Sequence, residues 1–137
     1  MPDEIVRVGV GVLVMNAEGK ILLGKRKSKL GEGTFSLPGG HLEFGETPEE
    51  CAKRELKEET DLDGSDFEVI SLSNDIAYEK HYITIGVIVR KFSGEVKIME
   101  VDKLESWDWY DVKKLPAPLF FPSAEFIDNF LQNIFYK

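Results

Sequence analysis

Residues 48–60 read Pro-Glu-Glu-Cys-Ala-Lys-Arg-Glu-Leu-Lys-Glu-Glu-Thr, and three carboxylates of this run, Glu55, Glu58 and Glu59, could do chemistry together. On a helix turning about 100° per residue, Glu55 and Glu59 share one stripe, and Glu58 stands roughly 60° round beside Glu55. Ala52 and Leu56 are the apolar residues that would face a sheet. Glu59 falls within about 20° of Ala52, at the margin of the buried face. Like charges at i,i+4 cost an exposed helix about 0.2–0.5 kcal/mol, and partly buried without a partner they cost several times more. Arg54 can pair with one carboxylate but cannot neutralise three. A divalent cation resolves the conflict, because Mg²⁺ or Mn²⁺ takes oxygen ligands and completes its shell with water and phosphate oxygens. A solvated acidic face would account for the glutamates alone. It does not account for the segment before them, where Gly39-Gly40 permits close backbone approach and Gly45-Glu46 sets a fourth carboxylate at the helix entrance.

The elements that must hold these residues are signalled locally. Thr47 suits the N-cap, Pro48 the first helical position, and Glu50 completes a capping box, so a helix is predicted from Pro48 to about Thr60. Upstream, Val6, Val8, Val10, Val12 and Val14 alternate strictly and predict one buried strand face, with Gly9 and Gly11 on the other. Asn16–Gly19 reads as a turn, Ile21-Leu22-Leu23 as the start of a strand, and Ser28–Gly33 as a loop. Phe35–Leu37 and His41–Phe44 are expected to be extended, with Gly39-Gly40 breaking the chain between them. Downstream strands are predicted near Phe67–Leu72, Tyr82–Phe92, Glu95–Ile98 and Trp107–Tyr110. Pro116 and Pro118 mark a loop, after which Phe126, Ile127, Phe130, Leu131, Ile134 and Phe135 recur at helical spacing. The sum is an α/β chain, a mixed sheet with helices on its faces, expected to form a single domain over residues 1–137.

Composition narrows the partners. A net charge of −8 disfavours a nucleic acid polymer, which needs a basic surface, but not a small phosphorylated ligand bridged by metal. No apolar run approaches the roughly 18 residues of a membrane span, and the acidic start Met1-Pro2-Asp3-Glu4 does not read as a signal peptide. The single cysteine, Cys51, cannot form an internal disulfide, which points to a reducing cytoplasm. Its simplest reading is a small buried residue.

Gly40, five residues, Glu46, seven residues, then Arg54-Glu55-Leu56-Lys57-Glu58-Glu59-Thr60 and Leu62 resemble the Nudix box. One position departs from it: Asp61 stands where the family has glycine, and aspartate tolerates the left-handed conformation such a helix end needs. The resemblance implies the Nudix fold, an α/β/α sandwich around a central mixed sheet, and hydrolysis of a nucleoside diphosphate linked to another group. It implies Glu55 and Glu59 as principal metal ligands, Glu58 as a third ligand or water-holder, the Gly39 carbonyl as a further ligand, and Arg54 as the residue orienting the glutamates. The general base is expected to be Glu58, with Glu100 and Glu105 as alternatives.

Leu22–Arg26, Leu37–Glu46, His81–Thr84, Glu105–Trp109 and Leu119–Phe121 further resemble one branch, the MutT-homologue nucleotide triphosphate diphosphatases of animals and plants. That likeness implies a Mg²⁺-dependent enzyme splitting nucleoside triphosphates, oxidised purines among them, into monophosphate and pyrophosphate. It implies a base pocket of Leu37, His41, Thr84, Phe120 and Phe121. Packing against the C-terminal helix would equally account for Phe120 and Phe121, and a strand-edge position for His41. Within Lys25-Arg26-Lys27, Arg26 is the phosphate-binding candidate because its planar fork matches phosphate oxygens, whereas Lys27 reads as a solvated strand end. Trp107 and Trp109 are expected in core or interface. Three alternatives stay open: dihydroneopterin triphosphate or a dinucleotide as substrate, a nucleotide-sensing domain without turnover, and a homodimer. The intact Glu55, Glu58 and Glu59 count against the sensing domain.

Overall fold

In the computed structural model β1 (Val6–Val14) lies between two partners, antiparallel to β4 (Gly39–His41) and parallel to β6 (Lys80–Ser93). β5 (Asp63–Ala77) closes the far side of β6, giving a mixed four-stranded sheet of order β4-β1-β6-β5. A smaller sheet has order β3-β2-β7, with β2 (Ile21–Lys25) between β3 (Phe35–Ser36) and β7 (Asp108–Tyr110). Residues 4–137 are described; residues 1–3 of the acidic start lie outside them.

Helix α1 (Pro48–Thr60) and helix α2 (Phe121–Gln132) cover opposite faces of the larger sheet. Val10, Val12 and Val14 pack with Cys51, Ala52 and Leu56 of α1. Leu13 and Ile88 pack with Phe126 and Ile127 of α2. The fold is the expected α/β/α sandwich. The valine alternation, however, does not mark one buried face along all of β1, since Val6 and Val8 are exposed and Leu13 is as buried as Val12 and Val14. A strand carrying helices on both sides is buried on both, so strict alternation loses its meaning at the sheet centre.

Helix α1 obeys its local signals. The Thr47 hydroxyl accepts from the Glu50 N–H at 3.1 Å, and the Glu50 carboxylate accepts from the Thr47 N–H at 2.8 Å. Asp61 ends the helix at φ 66°, the left-handed conformation expected there, with its N–H bonded to the Lys57 carbonyl.

Four expectations need correction. Gly39-Gly40 does not break the chain: both residues pair with β1, Gly39 opposite Gly11 and Gly40 opposite Val10. No strand forms at 95–98; that segment is irregular, pinned by the Lys97 N–H on the Thr60 carbonyl. β5 and β6 run well beyond the predicted ends because they pair with each other almost throughout, which no local window detects. Helix α2 starts five residues before Phe126 and stops at Gln132, where Asn133 turns left-handed, so Ile134 and Phe135 lie outside it. Among the described residues no helix is long and apolar enough to cross a membrane.

Candidate active site

The strand β4 separates two hollows. One is a polar cleft of about 470 Å³ between β4, α1 and the segment around Glu100, and Gly39, Arg54, Glu55, Glu58, Glu59 and Glu100 all line it. The other is an apolar pocket of about 160 Å³ on the α2 side, where Leu37, Thr84 and Phe120 are found. Gly39, Gly40, His41 and Arg26 line both. Of the thirteen candidate site residues named above, counting Glu100 and Glu105, the structure therefore brings eleven together. Phe121 is one of the two exceptions: it begins α2, exposed, outside both hollows. Glu105 also lies outside, pairing with Lys25 at 3.7 Å.

In the cleft, Glu59 is buried, and its Oε2 accepts the Gly39 N–H at 3.1 Å. The Glu55 carboxyl lies against the backbone of Gly40, where any side chain would overlap it; this close approach is what glycine serves there. Burial, and then the hydrogen bond and charge of Glu55, push the Glu59 carboxyl well above the usual carboxylate range. Arg54 forks across the others. Its Nη1 donates to Glu55 at 2.7 Å and to Glu58 at 3.4 Å, and its Nη2 and Nε donate to Glu46 at 2.7 and 3.1 Å. Arg54 holds the Glu46 carboxyl down to about 2, and Glu46 in turn raises Arg54.

These groups fit a hard divalent ion. Glu55 and Glu59 are neighbouring carboxyl groups, the charge of the first helping to push the second up, with Glu58 beside them, its side chain 52% exposed. Among the described residues no three acidic, histidine or cysteine side chains already converge as a cage. Mg²⁺ does not require one, since it binds through one or two carboxylates and leaves its other positions to water and phosphate.

The apolar pocket is assembled from distant pieces. The Leu37 N–H donates to Ser123 Oγ of α2 at 3.0 Å. Phe120 is delivered by a loop clasped to β3, with the Phe35 N–H on the Pro118 carbonyl and the Phe120 N–H on the Phe35 carbonyl. Its ring carries the Arg26 guanidinium 4.2 Å from the centroid and stacks with Tyr78 at 5.4 Å. Arg26 is further fixed by the Leu30 carbonyl at 2.8 Å; burial lowers its pKa while Glu59 opposes that shift. Trp107 is core, its Nε1 donating to the Glu59 carbonyl at 3.1 Å, and Trp109 stacks on Phe92. Cys51 is buried, its thiol pushed up to about 12 by burial.

Sequence reasoning missed Tyr82, Tyr78 and Pro122. Tyr82 lines the pocket and hydrogen-bonds His41 Nε2 at 3.0 Å. It lies two residues before Thr84 on the same strand, so its side chain had to share Thr84's face. Tyr78 stands on the turn joining β5 and β6, and its place beside Phe120 had no signal in the local sequence.

A NUDIX domain profile matches residues 6–130. An ADP-ribose pyrophosphatase of Methanocaldococcus jannaschii is 35% identical over 121 residues, covering 87% of this chain and 70% of its own. An RNA pyrophosphohydrolase of Hydrogenovibrio crunogenus is 32% identical over 124 residues, covering 77% and 73%. The crystal structure of a MutT NUDIX hydrolase from Burkholderia pseudomallei superposes with a TM-score of 0.85 at 30% identity, covering 91% of this chain and 98% of that one. With the box residues gathered on one cleft, the chain belongs to the NUDIX family and is a pyrophosphohydrolase of that family, acting on phosphoric anhydrides.

Proposed function

We propose that the chain is a Mg²⁺- or Mn²⁺-dependent nucleoside triphosphate pyrophosphohydrolase, releasing the nucleoside monophosphate and pyrophosphate, with purine and oxidised purine deoxynucleotides among its substrates. One observation carries this reading: the carboxylate cleft and the aromatic pocket share the wall Gly39–His41, with Arg26 lining both. A ligand with a base at one end and a polyphosphate at the other has that shape. Leu37, Thr84 and Phe120 would hold the base with His41. Because Phe120 is already engaged by Arg26 and Tyr78, a base meets it as part of a wall and not as a free stacking face. Arg26 would hold a phosphate.

Glu55 and Glu59, with Glu58 and the Gly39 carbonyl, would hold the ion. Once bound, the ion would neutralise phosphate charge and lower the pKa of an attacking water. Glu58, the most exposed of the three, would take that water's proton, and Glu100 is the alternative still at the cleft. Glu105, turned to Lys25, is dropped from that role. Arg54 keeps Glu55 and Glu58 aimed while both are charged. Membership in the animal and plant MutT-homologue branch is part of the same proposal. The relatives described above are archaeal and bacterial and support the family. A buried free thiol at Cys51 fits a reducing cytoplasm.

The second reading is a nucleoside diphosphate joined to another group, favoured by the ADP-ribose pyrophosphatase at 35% identity. A panel of deoxynucleoside triphosphates, 8-oxo-dGTP, dihydroneopterin triphosphate, ADP-ribose, NADH and a 5′-triphosphorylated RNA, scored by kcat/KM, separates the readings. A triphosphate of a purine is expected to lead. ADP-ribose or NADH in first place overturns the proposal, and RNA in first place overturns the expectation from net charge. Sedimentation of the same preparation decides the homodimer.

A further inference from the structure

Three cations line the carboxylate cleft: Arg26, Arg54 and Lys103. Arg54 is fully engaged. A guanidinium has five N–H donors, and here they reach the carboxylates of Glu46, Glu55 and Glu58 and the His41 carbonyl. Arg26 stands at the base end, since it lines both hollows, lies over the Phe120 ring and gives its Nε to the Leu30 carbonyl. Lys103 lines the cleft and not the apolar pocket. Its side chain is 59% exposed, and its ammonium meets Glu100 at 3.7 Å. An exposed pair of that length holds a side chain only weakly.

The backbone beneath that ammonium is fixed. The Lys103 N–H donates to the Glu100 carbonyl at 3.0 Å, and the Lys103 carbonyl accepts the Lys27 N–H at 2.9 Å. The next residue, Leu104, bridges to Arg26, and the Met99 N–H ties the same segment to the Glu59 carbonyl of α1 at 3.4 Å. Lys103 thus springs from a set point beside the carboxylate helix and carries its charge on a flexible four-carbon stem. We propose that Lys103 is a specificity-determining residue that binds the terminal phosphate of the substrate, at the end remote from the base. A terminal phosphate ionises a second time at a pKa of about 6, so near neutral pH it carries charge that a phosphate esterified on both sides lacks. A lysine ammonium acts on phosphate as a point charge and responds to that difference. Lys103 then favours an open polyphosphate tail over a diphosphate capped by a second group.

This inference rests on the reading of a base in one hollow and phosphates in the other, but not on turnover, so binding tests it. Calorimetric titration in Mg²⁺ would use three ligands: α,β-methylene-dGTP with an open tail, α,β-methylene ADP-ribose with a capped one, and dGMP with none. Lys103→Met is expected to weaken α,β-methylene-dGTP about tenfold and to leave the other two within about twofold. Both anchors of residue 103 are main-chain groups, so the substitution keeps them. Lys103→Arg, which retains the charge, should recover most of the loss. Lys25→Met, which removes an exposed lysine paired with Glu105 outside both hollows, should change none of the three. Wild-type affinity for α,β-methylene-dGTP in Lys103→Met, equal losses on all three ligands, or a Lys103→Arg no better than Lys103→Met overturns the inference. A selective loss in a protein whose best substrate is ADP-ribose would overturn the proposed function and leave this inference standing. If wild type does not bind α,β-methylene-dGTP, both fall together.

Discussion

The two sides of β4 are built by opposite means. On one side, Arg54, Glu55, Glu58 and Glu59 come from a single helix whose cap, first residue and end are written next to them. On the other, Leu37, Thr84, Phe120 and Arg26 come from four separated parts of the chain and meet only through tertiary structure. The first side is a local device that any chain carrying the segment can form. The second depends on how loops and strands of this chain are laid against α2. Common chemistry can therefore reside in the helix while selectivity resides in the assembled pocket.

The largest test of that division removes the charge machinery. Thorough chelation should abolish turnover, measured as released phosphate products, and Glu59→Gln should lower kcat by about a hundredfold or more. The melting temperature of Glu59→Gln should hold or rise, because a buried carboxyl that resists ionisation has been replaced by a neutral group. Near wild-type activity in that variant would dissolve the distinction between the two sides. On the pocket side, Phe120→Ala should raise KM about tenfold, by analogy with the roughly 1–3 kcal/mol of aromatic contacts to bases. Metal affinity, followed by Mn²⁺ titration, should stay nearly unchanged. A loss of metal affinity instead would mean that Arg26, released from the Phe120 ring, matters more to the cleft than to the base.

Smaller effects should stay on one side. The Glu46 carboxyl is held down to about 2 by Arg54, so its contribution to stability is present above the ordinary carboxylate value and is lost as pH falls toward about 2. Denaturation as a function of pH should show that acid limb flattened in Glu46→Gln, with stability below about pH 2 unchanged. Thr47→Ala removes one arm of the capping box and should cost about 1 kcal/mol in chemical denaturation, with substrate preference intact.

The same asymmetry explains what could be read without coordinates. Thr47, Pro48, Glu50 and Asp61 act within a few residues of themselves, so both ends of α1 and the placement of its glutamates follow from the sequence. Gly39-Gly40 misled because glycine pairs commonly end strands, whereas here their missing side chains let β4 lie against β1 and Glu55. The family resemblance implies Phe121 in the pocket beside Phe120, yet α2 begins between them and sends the second ring elsewhere. Tyr78 was silent because the turn that carries it meets Phe120 only through tertiary structure.

One consequence of β4 concerns length. The hollows lie on either side of β4, so the thickness of one paired strand sets how far apart they stand, and a paired backbone does not stretch. The wall between the hollows is therefore a ruler. A molecule reaching from one hollow to the other must place its reactive phosphorus at a distance set by main chain, whatever side chains surround its far end. Substitutions in the pocket can exchange one far end for another of equal reach without recalibrating the cleft, whereas a ligand one linkage longer or shorter would present the wrong bond.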